Sequence, residues 1–354
     1  MRQFNYSDLA NQTWDHEFFA YIAKIHEYKG KQELLLHQKP VILDRLLKIT
    51  EIQSTEASNR IEGITTTSVR FKQLIKNQTT PKNTDEEEIL GYRNVFNSIR
   101  SNHELFPLCD KSILQMHRDL LKYTGLPYSG HYKTAPNEID KILLSSERIV
   151  LFKPLEPDET PYAITMICKK YQEALDQEMI DELILIPCFI LDFLCIHPSN
   201  DGNGRMSRLL TLLLLYRSGY IVGQYVSIEK AIADTKEAYY DALRRSDQGW
   251  HEGTNDPRPF IKYMLSIILS CYKEFEARLS IAYVSGAKST SVNVVKAYVS
   301  ERIGKFSKQE VLVGCPSLGK SSVESALKKL VEDGTLVKIG KGRNTRYVRA
   351  DSLV

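Results

Sequence analysis

The sequence predicts a mainly α-helical core that carries a small β-hairpin, followed by a separate compact unit of three helices and two strands. Three observations lead there. Apolar residues recur at helical spacing through most of the chain, one internal segment changes to a β-branched run, and the composition turns basic after Lys288. A chain of 354 residues holds two or three domains at roughly 100–200 residues each. With 42% apolar and 26% charged residues it reads as an ordinary soluble globular protein rather than a disordered or fibrous one. The N-terminus is polar, with no apolar core of a secretory signal. The longest apolar runs, 183–196 and 209–216, are interrupted or too short to cross a bilayer, so no membrane association is expected. The six cysteines (Cys109, Cys168, Cys188, Cys195, Cys271 and Cys315) form no C-x-x-C pair. They read as reduced core residues of a cytoplasmic protein, not as a zinc site or a disulfide frame.

Helical periodicity marks 32–52, 113–123, 163–179, 183–195, 208–217 and 236–245. The stretch 134–153 differs. It contains Pro136, the paired Ser145 and Ser146, and the run Ile149, Val150, Leu151 and Phe152, and is expected to form a hairpin over about 132–152. A Pro- and acid-rich turn follows at 156–161, and 247–259 is a loop. The small polar stretch 283–290 reads as a linker. The expected organisation is an N-terminal helical region at 1–105, a core at 106–282, the linker, and a C-terminal unit at 291–354.

The chemistry concentrates at 197–208, which reads HPSNDGNGRMSR. A helix precedes this loop and another follows it. Gly202 and Gly204 let the backbone turn and let a ligand approach with no Cβ in the way. Free N–H groups at the start of the second helix form an anion site. Arg205 and Arg208, three residues apart, share one helix face and can both reach a polyphosphate. Asp201 is a hard oxygen ligand suited to Mg2+, and His197 is a general base near neutral pH. Taken singly, Asp201 is a helix cap and the arginines are a surface pair. Together they suit in-line attack of a hydroxyl on a nucleotide phosphate.

This stretch resembles the Fic family, whose motif is H-P-F-x-D/E-G-N-G-R-x-x-R, with Ser199 replacing the usual Phe. The resemblance implies a Fic-type helical fold and a protein adenylyltransferase that moves AMP from ATP to a Tyr, Thr or Ser hydroxyl. His197 would deprotonate that hydroxyl, and Asp201 would hold Mg2+. Gly202, Asn203, Gly204 and Arg205, with Met206 and Ser207 in the same turn, would bind phosphate, and Arg208 would reach the γ-phosphate. Upstream, the helix end at 54–63 contains Ser58, Glu62 and Gly63, matching the family's inhibitory pattern S/T-x-x-x-E-G/N. By resemblance, Glu62 pairs with Arg208 and keeps it from ATP. The hairpin corresponds to the family's flap, which docks the target chain, and Asn137, Glu138 and Ile139 are expected at its tip. Tyr239 and Tyr240 are expected to wall the adenine.

From Lys288 onward there are 13 Lys plus Arg against 6 Asp plus Glu, 13 − 6 = +7, while the whole chain is only +3. Helices at 292–303, 308–313 and 321–333, then strands at 335–339 and 345–349 around a turn at 340–344, read as a winged helix-turn-helix. Lys320, Lys328 and Lys329 on the third helix, with Lys338, Lys341, Arg343 and Arg346 on the wing, offer a DNA contact; a protein-contact role is the alternative. The string GCPSLGKS at 314–321 matches a phosphate-binding loop, but a helix precedes it and too little chain follows for such a domain. It reads as the turn into the third helix, capped by Ser321 or Ser322. The expected partners are an unidentified target protein, the chain itself as a substrate, a second copy, and DNA. A nucleotide-sensing, DNA-binding regulator without enzymatic activity, or removal of AMP by the same site, are the alternative functions.

Overall fold

The computed structural model describes residues 2–38, 40–142, 148–285, 290–300, 302, 304–340, 342 and 345–350. The first helices are α1 (His16–Gln38), α2 (Pro40–Ile61), α3 (Ser68–Ile75), α4 (Thr84–Asn102) and α5 (Asp110–Leu120). Strands β1 (Ile139–Ile142) and β2 (Arg148–Phe152) follow. Next come α6 (Thr160–Asp176), α7 (Glu182–Ile196), α8 (Asn203–Arg217), α9 (Ile228–Asp234), α10 (Lys236–Ser246) and α11 (Arg258–Ser285). The chain ends with α12 (Ser291–Ser300), α13 (Lys308–Gly314), α14 (Lys320–Glu332), β3 (Leu336–Ile339) and β4 (Arg346–Arg349). The expected fold, mainly helical with small antiparallel pairs, is what forms. No helix among the described residues is long and apolar enough to cross a membrane.

Two compact units divide the chain: 1–29 with 51–271, and 30–50 with 272–354. The division does not follow the expected boundaries. It falls inside α11, which continues to Ser285, so the first part of the expected linker is helical. The helix expected over 32–52 is carried by α1 up to Gln38 and α2 from Pro40, with Lys39 between them outside the described residues. Ser145, Ser146, the rest of the linker at 286–289, and Lys341, Arg343 and Asn344 lie outside the described residues.

In the larger unit α7, apolar on nearly every face, and α8, whose second half is a leucine run and whose first turns carry polar residues, are almost wholly buried. They pack on each other, with α6 against α7 and α4 against α8. The loop joining α7 to α8 is therefore held by two core helices. α4 approaches α5 closely because Gly91 has no Cβ; one would strike the Leu120 carbonyl. Side-chain caps start several helices, Thr67 on α3, Asn83 on α4, Asp181 on α7 and Ser227 on α9. β1 and β2 pair antiparallel, with Asp140 opposite Val150 and an irregularity beside Ile139.

In the smaller unit α12, α13 and α14 enclose Val294, Val295, Val311, Val323, Leu327 and Leu330, with Leu336 from β3. β3 and β4 pair antiparallel, Val337 opposite Val348. Ser307 closes a capping box on α13 with Glu310. α14 begins at Lys320 with Gly319 as its N-cap and no side-chain cap bond, so neither Ser321 nor Ser322 caps it: both already lie inside the first turn. A helix, α13, leads into this turn, as the sequence indicated.

Candidate active site

The loop 197–202 joins the C-terminus of α7 to the N-terminus of α8. α7 ends on His197, whose backbone is left-handed (φ 52°, ψ 64°). Its Nδ1 lies 3.2 Å from the Leu194 carbonyl. A carbonyl only accepts, so this bond puts the ring proton on Nδ1 and leaves Nε2 with its lone pair. Burial, joined by the nearby charge of Lys133 and against the pull of the Leu194 bond, lowers the His197 pKa to about 4. At pH 7 the ring is a neutral acceptor at Nε2.

The turn at Gly202 (φ 80°) is open to glycine without strain, and Gly202 stands at the N-cap of α8 with no side-chain cap bond. The N–H groups of Asn203, Gly204 and Arg205 precede the first intrahelical bond, Met206 N–H to the Gly202 carbonyl at 2.8 Å, and so form the helix's anion-binding end. Asn203 braces the loop from inside: its side chain accepts from the Ser199 N–H (3.0 Å) and donates to the Ser199 carbonyl (2.7 Å). Ser199 is itself 4% exposed, so this small residue sits in the interior. Met206 and Ser207 are buried, and Ser207 donates to the Gly204 carbonyl at 2.7 Å. These two shape the turn from below and offer a ligand nothing but backbone.

The arginines part ways. Arg205 is fully buried beneath the loop, ion-paired with Glu88 of α4 and 3.6 Å from the Asp201 carboxylate. Expected at the phosphate, it instead braces the loop, because its helical position points it to the α4 face. Arg208, 3% exposed, turns to the end of α2. Its Nε donates to Ser58 Oγ (2.8 Å), and its NH2 group to the Ser58 carbonyl (2.9 Å) and Glu62 Oε1 (2.7 Å). Burial pushes the Glu62 carboxyl up, but the charge and hydrogen bond of Arg208, with Arg205 and Lys236 adding, outweigh it and leave Glu62 below the usual carboxylate range. α2 has ended one residue earlier, and Gly63 (φ 82°) turns the chain away. Glu62 reaches the α8 N-terminus only because Gly204 is a glycine: a Cβ there would overlap the carboxylate.

Asp201 keeps its carboxylate half exposed, Oδ1 accepting from the Gly202 N–H at 2.6 Å. Its carbonyl accepts from Nε2 of His117, whose Nδ1 accepts from the Gly130 N–H (both 3.0 Å). Among the described residues no group of three His, Cys, Asp or Glu could hold a metal by itself. Asp201 fits Mg2+ in the way that ion is held beside phosphates, by one carboxylate with the remaining ligands from phosphate and water.

Tyr239 is buried against Phe260 and Tyr263 and touches Ser207 and Arg208, so it supports Arg208. Tyr240 is 42% exposed, beside Glu62 and under the Lys236 ammonium, which also donates to the Ile61 carbonyl. Asn137, Glu138 and Ile139 are not at the hairpin tip. Ile139 begins β1 opposite Phe152, at the end of the strand pair away from residues 143–147, which lie outside the described residues. Asn137 faces the loop and donates to the Ser199 carbonyl at 3.1 Å, while Glu138 stays at the surface, 4.0 Å from Lys153. Sequence reasoning missed Glu88, His117 and Lys133. Glu88 did leave a signal, a carboxylate on the same helical face as Tyr92, Val95, Phe96 and Ile99.

A model of the Fic/DOC family matches residues 107–215. The protein adenylyltransferase Fic of Drosophila erecta is 25% identical over 250 residues, 68% of this chain and 45% of that protein. The chain thus spans less than half the length of that relative. Among solved structures, a Fic domain containing signaling protein from Bacteroides thetaiotaomicron has a TM-score of 0.59 at 25% identity, covering 71% of this chain and 95% of that one. A Fic family protein from Desulfovibrio desulfuricans has a TM-score of 0.61 over 96% of this chain and 97% of that one, a likeness of fold at 19% identity.

The lowered pKa makes a direct prediction. An NMR titration of labelled histidine, with the His197 signal identified by its loss in His197→Gln, should give a midpoint near 4. Because this value lies below that of the unfolded chain, about 6.5, the stability held by the neutral ring should fall as pH drops through that window and be gone below it. A His197 midpoint at or above 6 would contradict the geometry.

Proposed function

We infer the activity from the family: this chain belongs to the Fic family, and we propose that it is a protein adenylyltransferase held in check by its own Glu62. The observation that carries the reading is Arg208, bound by Ser58 and Glu62 at the anion-binding end of α8. An enzyme that uses this arginine for a phosphate must first release it.

In the proposed reaction ATP lies along the loop with its phosphates on the N–H groups of Asn203 and Gly204. The oxygen of a target Tyr, Thr or Ser hydroxyl attacks the α-phosphorus. The bond from that phosphorus to the oxygen bridging to the β-phosphate breaks, and pyrophosphate leaves. The hydroxyl proton passes to Nε2 of His197. Mg2+ held by Asp201 would neutralise phosphate charge when bound. Arg208, once freed, binds the γ-phosphate and sets the α-phosphorus in line with the acceptor. Tyr240, with its exposed ring, is the residue offered to the adenine. The hairpin edge, with Val150 and Leu151 about two-fifths exposed, is the surface offered to an extended target segment; Glu138 and Ile139 flank it.

We propose further that the C-terminal unit is a winged helix that contacts DNA. What supports this is its order of elements and the exposed Lys320, Lys328 and Lys329 on α14 with Lys338 and Arg346 on the strands. Duplex binding by the full chain should weaken with salt and weaken again in Lys328→Ala/Lys329→Ala. Binding that salt and these substitutions leave unchanged would contradict it.

Transfer of label from α-labelled ATP tests the enzyme. Glu62→Gly should raise transfer about 10- to 100-fold, the worth of a charge-assisted bond to the γ-phosphate. His197→Ala in that background should lower it by about 10²- to 10⁴-fold. Equal transfer by wild type and Glu62→Gly would rule out the brake. No transfer by either folded protein would rule out the activity.

A further inference from the structure

Four successive carbonyls, those of residues 196–199, lead the chain out of α7 into the loop. Two residues ahead of the hairpin hold all four. The Lys133 ammonium donates to the Ile196 carbonyl at 3.1 Å, and the Lys133 backbone N–H to the Pro198 carbonyl at 2.9 Å. The Asn137 amide donates to the Ser199 carbonyl at 3.1 Å and, at the long end of the range, to the His197 carbonyl at 3.4 Å. The two side chains are joined, Lys133 donating to Asn137 Oδ1 at 2.8 Å. Lys133 is 2% exposed, yet its ammonium meets two oxygens, so its burial serves those bonds.

What they hold is unusual backbone. His197 is one of three non-glycine residues with positive φ among those described. A bulky residue persists there only where its surroundings over-determine it. The Leu194 bond fixes which ring nitrogen is free and helps hold the ring, while the backbone turn at 197 sets where the side chain leaves the chain.

We propose that Lys133 and Asn137 are positioning residues for His197: they lock the carbonyls of 196–199 and with them the left-handed turn that aims Nε2 at the acceptor hydroxyl. The proposal rests on the reading of His197 as the base. It assigns Asn137 to the loop and not to the target. The lysine has a second effect through its charge. The charged groups facing the ring are Lys133, Glu62 and Asp201, and Lys133 alone among them opposes its protonation. Burial lowers Lys133 itself to about 8, so it still carries its proton at neutral pH.

The test places Asn137→Ala, Lys133→Met and Lys133→Arg in the Glu62→Gly background and reads transfer kinetics, melting temperature and the His197 resonance. Asn137→Ala and Lys133→Met should lose about 10²-fold in kcat with the KM for ATP changed by less than about threefold, since a misaimed base costs turnover and not nucleotide binding. Lys133→Arg, which keeps charge and donors, should recover at least about tenfold over Lys133→Met. The His197 midpoint should rise in Lys133→Met and its shift should move in Asn137→Ala, in variants that still melt in one cooperative transition. A kcat within threefold of the parent in both variants overturns the proposal, as does a loss carried by KM with the resonance unmoved. If the Glu62→Gly parent transfers nothing, the adenylyltransferase reading fails by itself. The resonance then decides alone: displacement upholds the clamp, and an unmoved signal sinks it.

Discussion

Arg208 is a guanidinium in the interior, and a buried charge must find a counter-charge and acceptors for its N–H groups. It finds three acceptors at the end of α2 and the residue just after it: the Ser58 hydroxyl, the Ser58 carbonyl and the Glu62 carboxylate. That demand fixes the end of α2 against the start of α8. A buried guanidinium left without its counter-charge is costly, so a ligand that displaces Glu62 has to bring negative charge to the same place. In the proposed function the terminal group of ATP does so, and the ion pair that completes the resting fold is the one it has to replace.

α2 is held at more than one level. Ser54, one turn before Ser58, donates to Glu229 Oε2 at 2.7 Å, and Tyr92 donates to Glu229 Oε1 at 3.0 Å while also contacting Ser58. Ser54, Ser58 and Glu62 follow at i, i+4 and i+8 and so share one helix face. Burial pushes the Glu229 carboxyl up against the pull of its hydrogen bonds. This polar seam gives the end of α2 a fixed register, and register decides whether Glu62 meets Arg208 or falls a turn short.

Much of this was legible in the sequence, for physical reasons. The loop residues announce themselves because a base, a carboxylate, two glycines and two cations within twelve residues have no common structural cause. The pairing of Glu62 with Arg208 was anticipated from the pattern Ser58, Glu62 and Gly63 by resemblance, and Glu62 does stand at the end of α2 just before a left-handed glycine. What stayed hidden depends on three-dimensional neighbours. Arg205 and Arg208 look alike in sequence, but a rotation of three residues sends one under the loop to Glu88 and the other to α2. Tyr239 and Tyr240 are adjacent, and helix geometry buries one and exposes the other. Lys133 and Asn137 carry no pattern, since their partners are backbone carbonyls more than sixty positions away.

The central claim is that Glu62 occupies the place of the γ-phosphate on Arg208. Calorimetric titration of ATP and ADP with Mg2+ into wild type and Glu62→Gly tests it directly. Wild type should bind the two nucleotides about equally. Glu62→Gly should prefer ATP by about tenfold or more, the worth of a charge-assisted hydrogen bond between Arg208 and the γ-phosphate. The same ATP-to-ADP ratio in both proteins would contradict it.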